Sequence, residues 1–307
     1  MKIGVIGIGA LGGYISAMLS RTNEEICIIA DSIAKNNIKN NGITLNSEVH
    51  GNFCVHPHLV SNDPYKLGKM DVIFVCVKGS SLKYVAKTIA PMVDEYTIIV
   101  PFGAGVDSGS RLYSYLGKGK ILESVVYIRA RSLEPGVIIH KNYNTRFIIS
   151  SNKRRPVYDI NLEIVYNLLI KAGINCEIKE DVEAEAWNKY VFNCAFNITD
   201  SYYDVGVKGI LEDRMKFETF CNIAKECENV GRSKGVNLHK NIHGATIRYL
   251  KQLSKWTISS MHNDLIHGRK IEIEQYCGDL CRMGEEVGVS TPYSRMVYNK
   301  LKSLQTA

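Results

Sequence analysis

The chain has 307 residues, 45% hydrophobic and 22% charged, and a mean hydropathy of −0.09. It is long enough for two domains and a sizeable core, and no apolar run approaches membrane-spanning length. The net charge of +7 is mild, and at its one tight basic cluster, Lys153-Arg154-Arg155, a solvated loop is expected rather than a nucleic-acid stripe.

The N-terminus reads as strand, tight turn, helix, strand. Lys2–Ile6 is an apolar strand, and Gly7-Ile8-Gly9-Ala10-Leu11-Gly12 follows at once as a G-x-G-x-x-G. Tyr14, Ile15, Ala17, Met18 and Leu19 have helical spacing, Ile26–Ile29 is a second buried strand, and Asp31 ends it. In such a unit the first glycine makes the turn. The second lets backbone approach a pyrophosphate, and the third allows close helix–strand packing. The helix N-terminus adds unpaired N–H groups and a positive dipole end. A lone G-x-G-x-x-G is weak, but here it follows a strand, opens a helix and has an acid about 20 residues on, the context of a dinucleotide site.

Short strands are expected near Ile43–Leu45 and Val49–Val55, then a strong one over Asp71–Val77, broken by Lys78-Gly79-Ser80-Ser81. A helix through Val85, Ile89 and Met92 leads to the strand Thr97–Val100 and the break Pro101-Phe102-Gly103-Ala104-Gly105. A helix near Ser108–Tyr115, a strand Ile121–Ile128, a turn at Pro135-Gly136 and strands at Val137–His140 and Arg146–Ser150 follow. After a polar connector, Asn152–Pro156, come a helix over Tyr158–Ala172 and a last strand, Asn175–Lys179. Alternating strands and helices predict an α/β, doubly wound, Rossmann-like domain over residues 1–180. After Asp181 the periodicity is helical throughout: Val182–Thr199, Arg214–Lys234, Ile242–Ser254, Thr257–His267 and Glu272–Val287. Gly288 reads as a stop and Pro292 as a start, so residues 181–307 form an all-helical domain.

Nine cysteines, several of them inside apolar runs, suit a reducing cytoplasm, and no pattern of zinc spacing points to a metal. With a strand beginning at Lys2, no signal peptide is expected. In an open α/β sheet, ligands bind beyond the carboxyl ends of the strands. Lys78 leaves such an end and could pair with a phosphate or a substrate carboxylate, or lie on the surface. On the helix after Asp181, Lys189, Asn193 and Asn197 fall at i, i+4 and i+8, a polar row on one face, with Trp187, Val191, Cys194 and Ile198 on another. Such a row is costly without partners. A bound ligand or an interdomain hydrogen-bond network would supply them. Ser259-Ser260-Met261-His262-Asn263-Asp264 reads as a polar interruption, Glu272 as the acid opening the next helix, and His262 and His267 as surface or structural.

Together GxGALG, Lys78 after its strand, AWNKYVFNCAFN and SSMHNDLIHGRKIEIEQYCG resemble the 2-dehydropantoate 2-reductases (ketopantoate reductases), in order and over nearly the whole chain. The resemblance implies a Rossmann domain and a helical domain with the active site in the cleft between them. It implies NADPH-dependent reduction of a 2-oxo acid, ketopantoate, to a 2-hydroxy acid on the route to pantothenate. It makes Lys189 the catalytic lysine, with Glu272 beside the active centre and the cofactor. Asn193, Asn197, Ser260 and Lys78 would bind substrate. Gly7, Ile8, Gly9, Ala10, Leu11, Gly12, Asp31, Lys78 and Glu272 would line the cofactor. Helical second domains of this kind often pair, so a homodimer is expected, with a small 2-oxo acid and neither nucleic acid nor membrane as partner.

Three positions depart from the family pattern. Phe102 and Thr257 stand where asparagines are usual, which keeps a different 2-oxo acid as the alternative substrate. Asp31 stands where NADP users often carry arginine, and an acid there favours a free ribose 2′-hydroxyl. Lys35 and Lys39 could compensate, so NADP comes first and NAD second. A dinucleotide-binding protein without catalysis is the remaining alternative.

Overall fold

The computed structural model describes residues 1–103, 105–141, 144–152 and 156–305; the basic cluster at Lys153–Arg155 and Ala104 of the loop after Val100 lie outside them. The chain divides into two compact units, the first built from Met1–Gly103 and Asp107–Val182, the second from residues 105–106 and from Glu183 onward.

In chain order the strands are β1 (Lys2–Ile6), β2 (Glu25–Ile29), β3 (Ile43–Ser47), β4 (Gly51–Val55), β5 (Leu59–Ser61), β6 (Val72–Val75), β7 (Ile98–Pro101), β8 (Lys120–Ile121), β9 (Glu123–Tyr127), β10 (Ala130–Glu134), β11 (Val137–His140), β12 (Arg146–Ser150) and β13 (Cys176–Ile178). The helices of this unit are α1 (Ala10–Leu19), α2 (Ser32–Asn41), α3 (Pro64–Leu67), α4 (Leu82–Ile89), α5 (Ser108–Leu116) and α6 (Asp159–Lys171). A six-stranded parallel sheet has the order β5-β2-β1-β6-β7-β8. Every residue of β6 and β7 is buried, as expected where both faces of a parallel sheet are covered. Alternation sorts the side chains. Ile3, Val5, Ile26, Ile28, Val72, Phe74, Ile98 and Val100 fill the core on one face, and Ile6, Cys27, Ile29, Ile73, Val75 and Ile99 that on the other. Strand order reverses between β2-β1 and β6-β7, so the turns leaving β1 and β6 sit side by side at the switch point.

Two smaller sheets go beyond the reading from sequence. In one, β10-β11-β3-β4, the hairpin at Pro135-Gly136 pairs antiparallel while β11 joins β3 in parallel. This sheet lies on α1, where a Cβ on Gly13 would come within 2.4 Å of Ile138 Cδ1. In the other, β12 pairs antiparallel with β9 and parallel with β13. The single strand expected over 121–128 is therefore two. The chain changes sheets at the buried Leu122, whose N–H still bonds Ile99 O. Two histidine contacts inside this unit are matched: His140 lies between Ser47 Oγ (2.8 Å) and Thr145 Oγ1 (2.6 Å), and Tyr14 Oη meets His50 Nε2 at 3.0 Å. Burial lowers the pKa of both histidines.

The second unit is helical among the described residues: α7 (Val182–Tyr203), α8 (Val207–Glu212), α9 (Arg214–Ser233), α10 (Ile242–Gln252), α11 (Ser260–Ile266), α12 (Asp279–Glu286) and α13 (Pro292–Gln305). Its core gathers Trp187, Tyr190, Val191, Cys194 and Ile198 of α7 with Phe220, Ile223 and Val230 of α9 and Tyr276, Leu280 and Val297 further on. Glu183 and Glu185 place negative charge at the start of α7, where the helix dipole favours it. Gly288 ends α12 with φ +69° and Pro292 opens α13. Besides α8, which has no counterpart in the sequence reading, and α7, which runs past the expected Thr199 to Tyr203, two helix starts differ from expectation. The helix read from Thr257 starts at Ser260, because the Ser259 hydroxyl caps it by accepting from His262 N at 3.1 Å. The helix read from Glu272 begins with a π-helical turn, Glu274–Gly278. Among the described residues no helix is long and apolar enough to cross a membrane.

Candidate active site

The turn after β1 is made by close backbone approach. Gly7 has φ +93°, and a Cβ there would fall 2.5 Å from Cys76 O, the first residue past β6. A Cβ on Gly12 would lie 2.1 Å from Gly7 O. Gly9 is the opposite case: exposed, the N-cap of α1, and with no atom within 4 Å of an added Cβ. Among the described residues no side-chain cap closes the ten-residue α1, so its first N–H groups face that open space. Flanked by Ile8, Ala10 and Leu11, this cradle fits a pyrophosphate.

Lys78 follows two residues after Cys76, half-buried, at the N-cap of a short 3₁₀ turn, so the structure brings it to the same switch point as the glycines. Asp31 follows β2 by two residues and caps α2: its Oδ1 accepts from Ile33 N and Ala34 N, both at 2.9 Å. Phe102 is 3% exposed, with its ring stacked on Phe74 (5.8 Å) and edge-on to Phe147 (5.0 Å). It is a core residue of the first unit, not a ring standing in a ligand site. Thr257 gives its carbonyl to Val207 N at 3.0 Å and so caps α8.

In the second unit α7 carries the polar row. Lys189 and Asn193 are half-buried and Asn197 is buried. Desolvation brings the Lys189 ammonium down to about 8, against the opposing attraction of the Glu272 carboxylate. The structure thus brings Lys189 and Glu272 together from opposite ends of the helical unit. Asn197 donates to Asn193 O at 2.8 Å, while its Oδ1 accepts from Met261 N at 3.3 Å and from the Ser260 hydroxyl at 3.4 Å. Asn193, Asn197 and Ser260 form one cluster inside the helical unit.

The row continues beyond the residues read from sequence. Asp200 Oδ2 accepts from Ser259 N at 2.5 Å, and Asp200 Oδ1 lies 3.1 Å from His262 Nδ1. His262 Nε2 is 2.7 Å from Asp204 Oδ1, and Asp204 has φ +54° at the end of α7. Burial raises the pKa of Asp200, with its bonds to Ser259 and His262 opposing. His262 is structural, as read, but buried: it pins the start of α11 to the end of α7. Spacings of three from Asn197 to Asp200 and of four from Asp200 to Asp204 were the signal available for both aspartates. Gly13 was legible too, as a fourth glycine in the turn.

The amino-terminal part matches the family model described as ketopantoate reductase PanE/ApbA over residues 3–153, and the rest matches its C-terminal model over residues 181–305. The chain belongs to the ketopantoate reductase family. It is an NAD(P)-dependent oxidoreductase of the CH–OH class. A 2-dehydropantoate 2-reductase of Mesorhizobium japonicum is 24% identical over 95% of this chain and 94% of its own. The fold is that of a PanE/ApbA family ketopantoate reductase from Ralstonia eutropha, with TM-score 0.90, 23% identity, and coverage of 100% of this chain and 99% of that one. A D-mandelate dehydrogenase solved with NADH and anilino(oxo)acetate shares it at TM-score 0.87 and 17% identity, over 100% of this chain and 98% of its own.

Proposed function

We propose that this family member reduces a 2-oxo acid, 2-dehydropantoate first, to its 2-hydroxy acid with NADPH as reductant. The observation that carries the reading is the Lys189–Glu272 pair: a lysine brought by burial to about 8, beside a carboxylate, on the same face as two asparagines. When bound, the nicotinamide supplies the hydride to C2. Lys189, still largely protonated at neutral pH, donates the proton to the carbonyl oxygen as negative charge develops there. Glu272 holds that ammonium in place and favours its charged form. Asn193, Asn197 and Ser260 fix the substrate's polar groups, which supplies orientation. Gly7–Gly12 seats the pyrophosphate on the α1 N-terminus, and Lys78 supplies a positive charge at the same edge.

A second reading, a different 2-oxo acid with NADH, draws on Asp31 and on the Phe102 ring turned into the core. NADPH and NADH oxidation with 2-dehydropantoate and a panel of other 2-oxo acids separates the two. Lys189→Ala should lower kcat/KM by about 10²- to 10⁴-fold, the usual worth of a positioned acid. Unchanged turnover in that variant would remove Lys189 from the chemistry, and cofactor binding without turnover on any acid would leave a sensor.

A further inference from the structure

We propose that Tyr190 and Cys194 are positioning residues, which lock α7 to the π-helical turn after Glu272 and so set the distance between Lys189 and Glu272. This rests on the proposed roles of those two groups. In an α-helix each carbonyl is taken by the N–H four residues on; a π-turn shifts that pattern and frees carbonyls for other partners. The turn Glu274–Gly278 closes with Asp279 N bonded to Glu274 O. The Tyr190 hydroxyl donates to Gln275 O at 2.6 Å, and the Cys194 thiol meets Tyr276 O at 3.5 Å. All four residues are buried, with exposures of 2%, 0%, 4% and 3% for Tyr190, Cys194, Gln275 and Tyr276. Positions 190 and 194 are one helical turn apart, so the two contacts define an axis along α7, and Lys189 is the residue beside the first of them.

The turn is coupled to the carboxylate through the backbone. Glu272 O accepts from both Gln275 N and Tyr276 N at 3.1 Å. A shift of the Gln275 carbonyl therefore moves the peptide that carries Glu272. The rings add shape to the lock: Trp187 stands edge-on to Tyr190 at 5.7 Å, and Tyr190 stacks on Tyr276 at 6.4 Å. Burial keeps the Tyr190 phenol and the Cys194 thiol protonated, so both remain donors across the working pH range. The ionisable groups felt here are Glu272 before the turn, Tyr276 within it, Asp279 of α12, Asp264 of α11, Cys227 of α9, and Tyr190 and Cys194 themselves.

The sign of the effect follows. Protonated Lys189 is the active form, so kcat/KM falls as pH rises through about 8. Glu272 holds that value up; a lock that loosens lets it drop, and the falling limb moves to lower pH. Tyr190→Phe keeps the ring and removes the donor. It should move the limb down by about half a pH unit or more and lower kcat about tenfold. In a Glu272→Gln background the same change should add no further shift, since the two act through one distance. Cys194→Val should act in the same direction and Cys194→Ser, which keeps a donor, should restore the limb. The titration of Lys189 is also read without turnover, from the pH dependence of its acylation measured by mass spectrometry in each full-length variant. A chain that lacks oxo-acid turnover would end the functional reading, while acylation still tests the lock. An acylation midpoint in Tyr190→Phe equal to wild type, or a full shift that persists in the Glu272→Gln background, would overturn it. Should Tyr190→Phe not fold, the cysteine pair decides the matter by the same midpoint.

Discussion

The two units build their candidate sites from different materials. In the first unit the glycine turn works by backbone: positive φ at Gly7, a 2.1 Å approach between the Gly12 Cβ direction and Gly7 O, and open space at Gly9. In the second unit the candidate site works by side chains on α7, of which Tyr190, Cys194, Asn197 and Asp200 are held by partners some 60 to 85 residues away. A backbone site is local, so its motif is contiguous and sequence shows it. A side-chain site on a helix shows only its own row; the groups that satisfy that row come from folding.

After the loss expected of Lys189→Ala, the largest effect comes from breaking the backbone site, and the contrast lies within it. Gly12→Ala puts a methyl into the Gly7 carbonyl, an overpacking worth about 1–3 kcal/mol. It should lower the Tm and also weaken dinucleotide binding about 10- to 100-fold, read by fluorescence titration with NADPH. Gly9→Ala meets nothing within 4 Å in the protein, so the Tm should hold while affinity falls by a similar factor. Normal binding by the Gly9 variant would mean that no pyrophosphate approaches that backbone.

The same contrast can be drawn on α7. Asn197→Ala leaves the buried Met261 N–H without its acceptor, which costs about 1–3 kcal/mol and loosens Ser260. Both Tm and the KM for the oxo acid should suffer, the latter by about tenfold. Asn193 is half-buried and gives its backbone carbonyl to Asn197, so Asn193→Ala keeps that bond. It should raise KM with little change in Tm. Equal Tm losses for the two variants would mean that the row is uniformly structural, and the distinction between the two positions would fall.

What sequence carried and what it missed divide along the same line. Continuous apolar runs marked β1, β2, β6 and β7, and the acid after β2 closed the unit, because those signals depend on neighbours in the chain. The switch of sheets at Leu122 is hard to read locally: apolar residues flank Glu123-Ser124 on both sides, and what separates the two strands is their partners, Ile99 and the β12 strand. Likewise Ser259-Ser260 looked like an interruption because serine is a poor interior residue, whereas Ser259 is a cap. The acid near His262 in sequence is Asp264, two residues on, but its hydrogen-bond partners in space are Asp200 and Asp204, some 60 residues back. The departure at Phe102 was legible as a residue type, but its consequence was not, since the ring packs between Phe74 and Phe147 and adds nothing to a ligand surface.

Asp31 is where the two kinds of site overlap, and its effect is the smallest. One carboxylate oxygen caps α2 through Ile33 N and Ala34 N, a backbone task; the role proposed for the acid, selecting between a ribose hydroxyl and a 2′-phosphate, belongs to side-chain chemistry. The two separate on substitution. Asp31→Ala should cost about 1 kcal/mol through the lost cap, seen as a small drop in Tm. Asp31→Asn keeps a capping oxygen and removes the charge, so Tm should stay near wild type while the ratio of kcat/KM for NADPH over NADH rises several-fold, as expected when repulsion of about 1 kcal/mol is relieved. A ratio that does not move in Asp31→Asn would assign the residue to the cap alone. The discrimination between cofactors would then fall to other groups near the ribose, with Lys35 on the next turn of α2, already 3.1 Å from Asn62 Oδ1, the first to substitute.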